Sequence, residues 1–332
     1  MTDVRGQFQP GFFLSCSCIS VFACLLFSLG EGMLTKDGFE ELISRSTGVR
    51  RQDVSFHARL VADLGLDSFA LMELCSALAD LGVDVGEQDW LATGTVGELY
   101  DRCRDSGSLG GRARGGTVLT GPETVSSSRP EPVPAVPDDV VPPELVGRFF
   151  RLSPVLPQVV PFLYDLAIAP DVGFRWRYRG AVPSYEKFEA DLWQGILVQF
   201  VVESRDTGQP AGHVICYNPD FGLGHAYVGA AMTSRYRGSG IAVEPVRLFI
   251  RYLFDVWPFQ KVYFELPEFN YRQFASASTG ALHVEARLRN HDYYRGRRWD
   301  RLILAAYRSG EGPSDRDAGC CNGFLHADLS RT

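Results

Sequence analysis

Asp63-Leu64-Gly65-Leu66-Asp67-Ser68, followed directly by Phe69-Ala70-Leu71-Met72-Glu73-Leu74, joins a turn-forming phrase to the start of an amphipathic helix. Leu71, Leu74, Leu78 and Leu81 recur at intervals of three and four, the helical period. Ser68 therefore stands where loop becomes helix. Free backbone N–H groups and the positive end of the helix dipole favour a phosphate at such a point. Asp67 or Ser68 also fits the plainer role of a helix N-cap. Working outward, Phe39, Leu42 and Ile43 form one more apolar stripe, and Val96, Leu99 and Tyr100 another. Gly48 and Gly82 are suited to end the first two helices.

The whole string around Ser68 resembles the prosthetic-group site of acyl carrier proteins, and the resemblance runs from Met33 to Arg104. The resemblance implies a four-helix fold whose third helix is short and variable, here near Gln88–Leu91; Phe69 stands where leucine is commonest in that family. The resemblance implies a covalent 4′-phosphopantetheine on Ser68, installed by a phosphopantetheinyl transferase and ending in a thiol. Between Met33 and Arg104 there are thirteen Asp and Glu against seven Lys and Arg. Carrier domains present an acidic second helix to partner enzymes, and Asp63, Asp67, Glu73 and Asp80 are suited to that, or to a solvated face.

The rest of the chain divides by composition. It has 332 residues and a formal charge of −7, so nothing in its electrostatics suggests a nucleic-acid partner. Its eight cysteines show no zinc spacing and no compact disulfide framework, so reduced thiols in a cytoplasm and no metal site are expected. Residues 1–32 include an uncharged apolar run, Phe12 to Leu29, just long enough for a membrane span. An over-extended upstream start is the expectation there, with a membrane anchor as the alternative. Residues 105–143, rich in Gly, Ser and Pro, read as a linker with a root-mean-square span of about 35 Å. Residues 309–332 read as a polar, disordered tail.

Between residues 144 and 308, strands are expected at Ile196–Val202, His213–Tyr217, Ala226–Ala231, Val262–Leu266 and Leu302–Tyr307, with a helix at Ile241–Val256. Strands alternating with helices indicate an α/β domain. Arg235-Tyr236-Arg237-Gly238-Ser239-Gly240 falls between the third strand and that helix. Chemistry that holds a pyrophosphate needs such a turn, with glycines allowing close backbone approach and successive amides aimed at one anion. Pro245, placed just past the first helical turn, is expected to bend the helix slightly.

The Arg-x-x-Gly-x-Gly phrase resembles the coenzyme A loop of GNAT acyltransferases. Glu285-Ala286-Arg287-Leu288-Arg289-Asn290-His291 and Gly296-Arg297-Arg298-Trp299-Asp300 resemble the branch that acetylates ribosomal-protein N-termini. The resemblance covers about 160 residues and implies a mixed, mostly antiparallel sheet with flanking helices. The coenzyme A contacts it implies are Met232, Thr233, Arg235, Arg237, Gly238, Ser239, Gly240, Ile241 and Asn270. A backbone amide near Met232 is expected to bond the thioester carbonyl as charge develops. Many relatives carry a glutamate where this chain has Tyr227, so Tyr227, Glu265 and His225 stand as competing acid/base candidates.

Together the two resemblances imply a carrier fused to an acyltransferase, moving an acyl group from a coenzyme A or carrier thioester to an amine in specialised-metabolite assembly. Biosynthetic partner enzymes would supply the acyl group or the acceptor. Two alternatives stand beside this reading. In one, the second domain loads the carrier's own thiol from acyl-coenzyme A. In the other, it is a catalytically inactive docking module.

Overall fold

The computed structural model describes residues 35–108, 145–271 and 282–308, with side chains left out for 106–108. The apolar run at 12–29, nearly all of the expected linker and the expected tail lie outside the described residues. Among the described residues no helix is long and apolar enough to cross a membrane, and no cluster of potential ligands could hold a metal ion.

Four helices form the first unit: α1 (Lys36–Thr47), α2 (Ser68–Asp80), α3 (Glu87–Ala92) and α4 (Val96–Ser108). Thr35 caps α1 by accepting from Gly38 N, and Gly48, at φ 74°, closes its other end in the left-handed region that glycine tolerates. Phe39, Ile43, Leu74, Leu78, Val96 and Leu99 are fully buried between the helices. Each such burial contributes roughly 1.5–3 kcal/mol, so the three apolar stripes suffice to gather the helices. The long segment between α1 and α2 is pinned to the α3–α4 turn by Leu60 N donating to Gly94 O at 3.0 Å.

The second unit is built on one seven-stranded sheet, β1 (Phe150–Pro154), β2 (Ile196–Ser204), β3 (Pro210–Asp220), β4 (His225–Met232), β5 (Lys261–Pro267), β6 (His283–Tyr294) and β7 (Arg297–Tyr307), in the order β1-β2-β3-β4-β5-β7-β6. Only β4 and β5 pair in parallel. The crossover between them is α5 (Val243–Val256), as a parallel connection demands. Leu248, Phe249 and Leu253 of α5 bury against the face carrying Phe200, Val202 and Val214. Two further helices, α6 (Val160–Ile168) and α7 (Tyr185–Asp191), cover the opposite face, where Val201, Ile215 and Ala231 point. These alternating residues go to opposite layers, as the two-residue period of a strand requires.

The mixed, mostly antiparallel sheet matches expectation, and so do the five expected strands and the helix before β5. Two strands were not anticipated. β1 is five residues long and mixes buried with exposed positions. β6 pairs with β7 through a two-residue turn, Arg295-Gly296, at φ 52° and 77°, the turn type whose twist suits a hairpin. Pro245 also differs from expectation. The helix begins at Val243, so Pro245 lies inside the first turn, where its missing N–H would have had no helical acceptor.

The two units share one continuous buried cluster. The joint is fastened by Glu244 at the start of α5. Its carboxylate accepts from the amides of Arg148 (2.6 Å), Phe149 (2.9 Å) and Phe150 (2.9 Å). Burial raises the Glu244 pKa, and those amides oppose the shift. The Arg148 side chain turns the other way, into the helical unit. It donates to Cys75 O (3.2 Å), Val85 O (3.2 Å) and the Asp84 carboxylate (2.9 Å).

Candidate functional site

The register of β4 and β5 opens the site. The strands pair only from His225 to Tyr227 against Lys261 to Tyr263. β4 continues to Met232 and β5 to Pro267, and beyond the paired segment a cavity of about 1190 Å³ opens between them. Gly229 to Met232 line one wall and Phe264 to Pro267 the other. Thr233 N donates to Ala211 O on the β3 side at 2.9 Å. Successive strand amides face opposite edges, so the Met232 N–H faces the cleft. At Gly229 an added Cβ would lie 3.2 Å from the Trp176 ring, which closes this wall from the α6–α7 side.

At one end of the cleft, a 3-10 turn, Ser234–Tyr236, leads into Arg237 to Ala242. Gly238 and Gly240 hold φ of 73° and 81°, conformations that other residues adopt only at a cost of about 1–2 kcal/mol. The amides of Gly238, Gly240, Ile241 and Ala242 have no backbone acceptor among the described residues. Four such amides ahead of a helix form an anion-binding concavity.

Sequence-derived candidates separate once placed. Met232, Arg237, Gly238, Asn270 and Glu265 border the cavity. Thr233, Arg235, Ser239, Gly240 and Ile241 do not. Arg235 instead lies 3.5 Å from Glu87 of the helical unit, Arg237 is ion-paired to Asp171, and Ile241 is fully buried core. Tyr227 and His225 sit where β4 and β5 are still paired, in a ring cluster with Tyr263, and do not border the cleft. Of the three acid/base candidates, only Glu265 reaches the cavity.

The other end of the cleft was not anticipated. Arg301 donates to Glu265 Oε2 at 3.0 Å and, through Nε, to Asp292 Oδ2 at 3.2 Å. Tyr217 borders the same space, and burial followed by the Glu265 charge pushes its hydroxyl pKa up to about 12. Phe174 stacks on Tyr294 at 4.0 Å between centroids and, with Phe269, makes an apolar wall. These groups come from four strands, a loop and the short helix Glu268–Tyr271, and no local motif joins them.

Ser68, the first residue of α2, also borders this cavity. It is 8% exposed, and its hydroxyl makes no hydrogen bond to any described residue. Asp67 is the N-cap, accepting from Phe69 N (3.0 Å) and Ala70 N (2.9 Å). The plainer N-cap role thus belongs to Asp67. Its carboxylate consumes the amides expected to face a phosphate on Ser68. Two more of the acidic residues expected to meet outside partners are likewise occupied within the chain, while Asp80 is exposed. Asp63 is paired with Arg59, whose hydrogen bonds lower its pKa to about 2. Glu73 lies 3.1 Å from Arg247 on α5.

An unpartnered hydroxyl opening on a long cleft fits a phosphopantetheine anchor, and free amides beside an apolar groove fit a pantetheine chain and its phosphate. Comparison with curated proteins finds no match. Among solved structures, the chain is similar to a spermidine N-acetyltransferase from Vibrio cholerae in complex with CoA and spermine. The identity is 16%, over 50% of this chain and 99% of that one, with a TM-score of 0.44. It is also similar to a spermidine/spermine N-acetyltransferase from the same organism in complex with manganese ions, at 15% identity over 48% and 92%, TM-score 0.41. Residues 37–103 match the family model for the phosphopantetheine attachment site, and the four-helix unit is a phosphopantetheine-binding carrier domain.

Proposed function

We propose that the chain is a carrier-fused acyltransferase that moves an acyl group from a thioester to an amine acceptor, with the carrier arm attached at Ser68. The observation that carries this reading is the cleft itself. A groove between diverging strands has at one end the amides of Gly238 and Ala242, without backbone acceptors among the described residues, a carboxylate and a protonated phenol at the other, and Ser68 at its border. When bound, phosphopantetheine supplies a thiol that holds the acyl group as a thioester.

The chain's own groups suit the transfer. The Met232 N–H donates to the thioester carbonyl oxygen as negative charge builds there. The amine nitrogen bonds to the carbonyl carbon and the C–S bond breaks. Glu265, oriented by Arg301, accepts the proton the nitrogen gives up, and Tyr217, protonated at neutral pH, supplies one to the departing sulfur. Asn270, buried beside the cleft, and the Gly238–Ala242 amides hold the donor. A cytoplasmic setting in specialised-metabolite assembly suits a chain that pairs a carrier with acyl transfer.

The test is to prime the full chain with a phosphopantetheinyl transferase and acetyl-coenzyme A, add a panel of primary amines, and follow intact-protein and small-molecule mass. Loss of the acetyl increment with matching N-acetyl product supports the reading. An acetylated arm that is stable to every amine, with or without added acetyl-coenzyme A, counts against it.

A further inference from the structure

The carrier domain is seated on the anion-binding loop. A Cβ added at Gly240 would lie 2.4 Å from Leu71 Cβ and 3.0 Å from the Ser68 carbonyl oxygen. Trp90 of α3 donates its indole N–H to Ser239 O at 2.8 Å. Glu87 of α3 accepts from Ser204 Oγ (2.6 Å) and Tyr236 Oη (3.1 Å) and lies 3.5 Å from Arg235. Glu73 of α2 pairs with Arg247 of α5. The start of α2 and the loop before α5 thus face one another, with Ser68 between the loop and the cleft.

Charge at this junction is unbalanced in a way that points to a phosphate. The α2 amides are capped by Asp67, whereas those of Gly238, Gly240, Ile241 and Ala242 lack acceptors among the described residues. Ser68 is 8% exposed, its hydroxyl has no partner among the described residues, and it borders the same cavity as Gly238 and Ala242. Coenzyme A and a carrier arm share the phosphate and pantetheine chemistry and differ beyond the phosphate, one carrying a nucleotide and the other a protein. The outer side of the loop is already covered by Leu71 and Trp90.

We propose that the carrier domain takes the place of the coenzyme A nucleotide. Docked in cis, it sets the Ser68 phosphodiester against the Gly238–Ala242 amides, directs its own arm along the β4–β5 cleft, and excludes free coenzyme A. The donor is then the chain's own acyl carrier. This rests on the acyl-transfer reading above and narrows its donor. It also sets the docked form apart from one that loads its carrier from acyl-coenzyme A, since donor and carrier would compete for one loop.

The experiment uses full-length Ser68→Ala protein, which cannot be primed, and measures binding of desulfo-coenzyme A and of 4′-phosphopantetheine by calorimetry. It is repeated with Trp90→Ala and with Arg148→Ala added, two independent ways to loosen the interface. The expected result is phosphopantetheine binding in all three and coenzyme A binding at least tenfold tighter in both loosened chains. Equal coenzyme A affinity in all three overturns the proposal while leaving acyl transfer standing. If no chain binds either probe, the cleft is not a pantetheine site and the underlying reading fails with it.

Discussion

The two ends of the cleft are built on different principles. The loop end works through backbone: two left-handed glycines, four amides without backbone acceptors among the described residues, and a strand amide at Met232. The far end works through side chains from β3, β5, β6 and β7, namely Tyr217, Glu265, Asp292 and Arg301. A backbone site is written into one short stretch of sequence. A side-chain site assembled across strands exists only once registers are set. The loop end is therefore suited to hold what is common to every donor, and the far end to decide what reacts.

Substitutions can break this division or sharpen it. Ser68→Ala has the largest expected effect: complete loss of the mass increment when the chain is incubated with a phosphopantetheinyl transferase and coenzyme A. Glu265→Gln comes next, with turnover falling about a hundredfold, the low end of general acid–base contributions. Phosphopantetheine affinity should hold steady. A matching loss of affinity would show that the two ends are not separable. Gly240→Ala should do the reverse. A left-handed alanine pressed against Leu71 costs about 1–3 kcal/mol, read as a lower denaturation midpoint and as weaker phosphopantetheine binding, because the strained turn carries the anion-facing amides.

A fourth test concerns the sheet that carries both ends. His213 is buried, its ring nitrogen 2.9 Å from Gln199 Oε1, and burial lowers its pKa to about 3. The unfolded chain takes up this proton near pH 6.5 and the folded chain does not until about pH 3, so stability falls with pH across that window. Going to pH 5.5 should cost about 1.4 kcal/mol by urea unfolding, and His213→Gln should flatten the dependence. Least of all, Tyr227→Phe should change turnover less than twofold, because its ring packs with Tyr217 and Tyr263 and does not border the cleft.

The sequence was legible wherever chemistry is local. Three apolar stripes and two glycines define the helices, and the phrase at Arg235–Gly240 reads as a loop between strand and helix before any coordinates. β6 is hidden in the sequence because its largely half-buried and exposed residues blur the alternation, although Arg295-Gly296 is a hairpin signal. Tyr217 and Arg301 were out of reach because their meeting depends on β3 and β7 flanking the diverging pair. The docking of the carrier was equally hidden: Trp90 reads as an ordinary core residue until its indole N–H is found on Ser239. Glu244, a carboxylate in the first turn of α5 on the side of its apolar residues, is a signal of a buried anchor that the sequence does carry.

The depth of Ser68 has a consequence for the life history of the protein. With Ser68 only 8% exposed, its hydroxyl opens on the cleft and not on an outer surface where a modifying enzyme could dock while the two units stay together. Maturation then has an order, with the arm installed on an open chain before closure. A chain that shuts early waits for its next opening. If closure is favoured by about 2.7 kcal/mol, only about one chain in a hundred is open at any moment, and modification slows in proportion. The rate at which fresh protein acquires its arm thus becomes a clock for the opening of the joint.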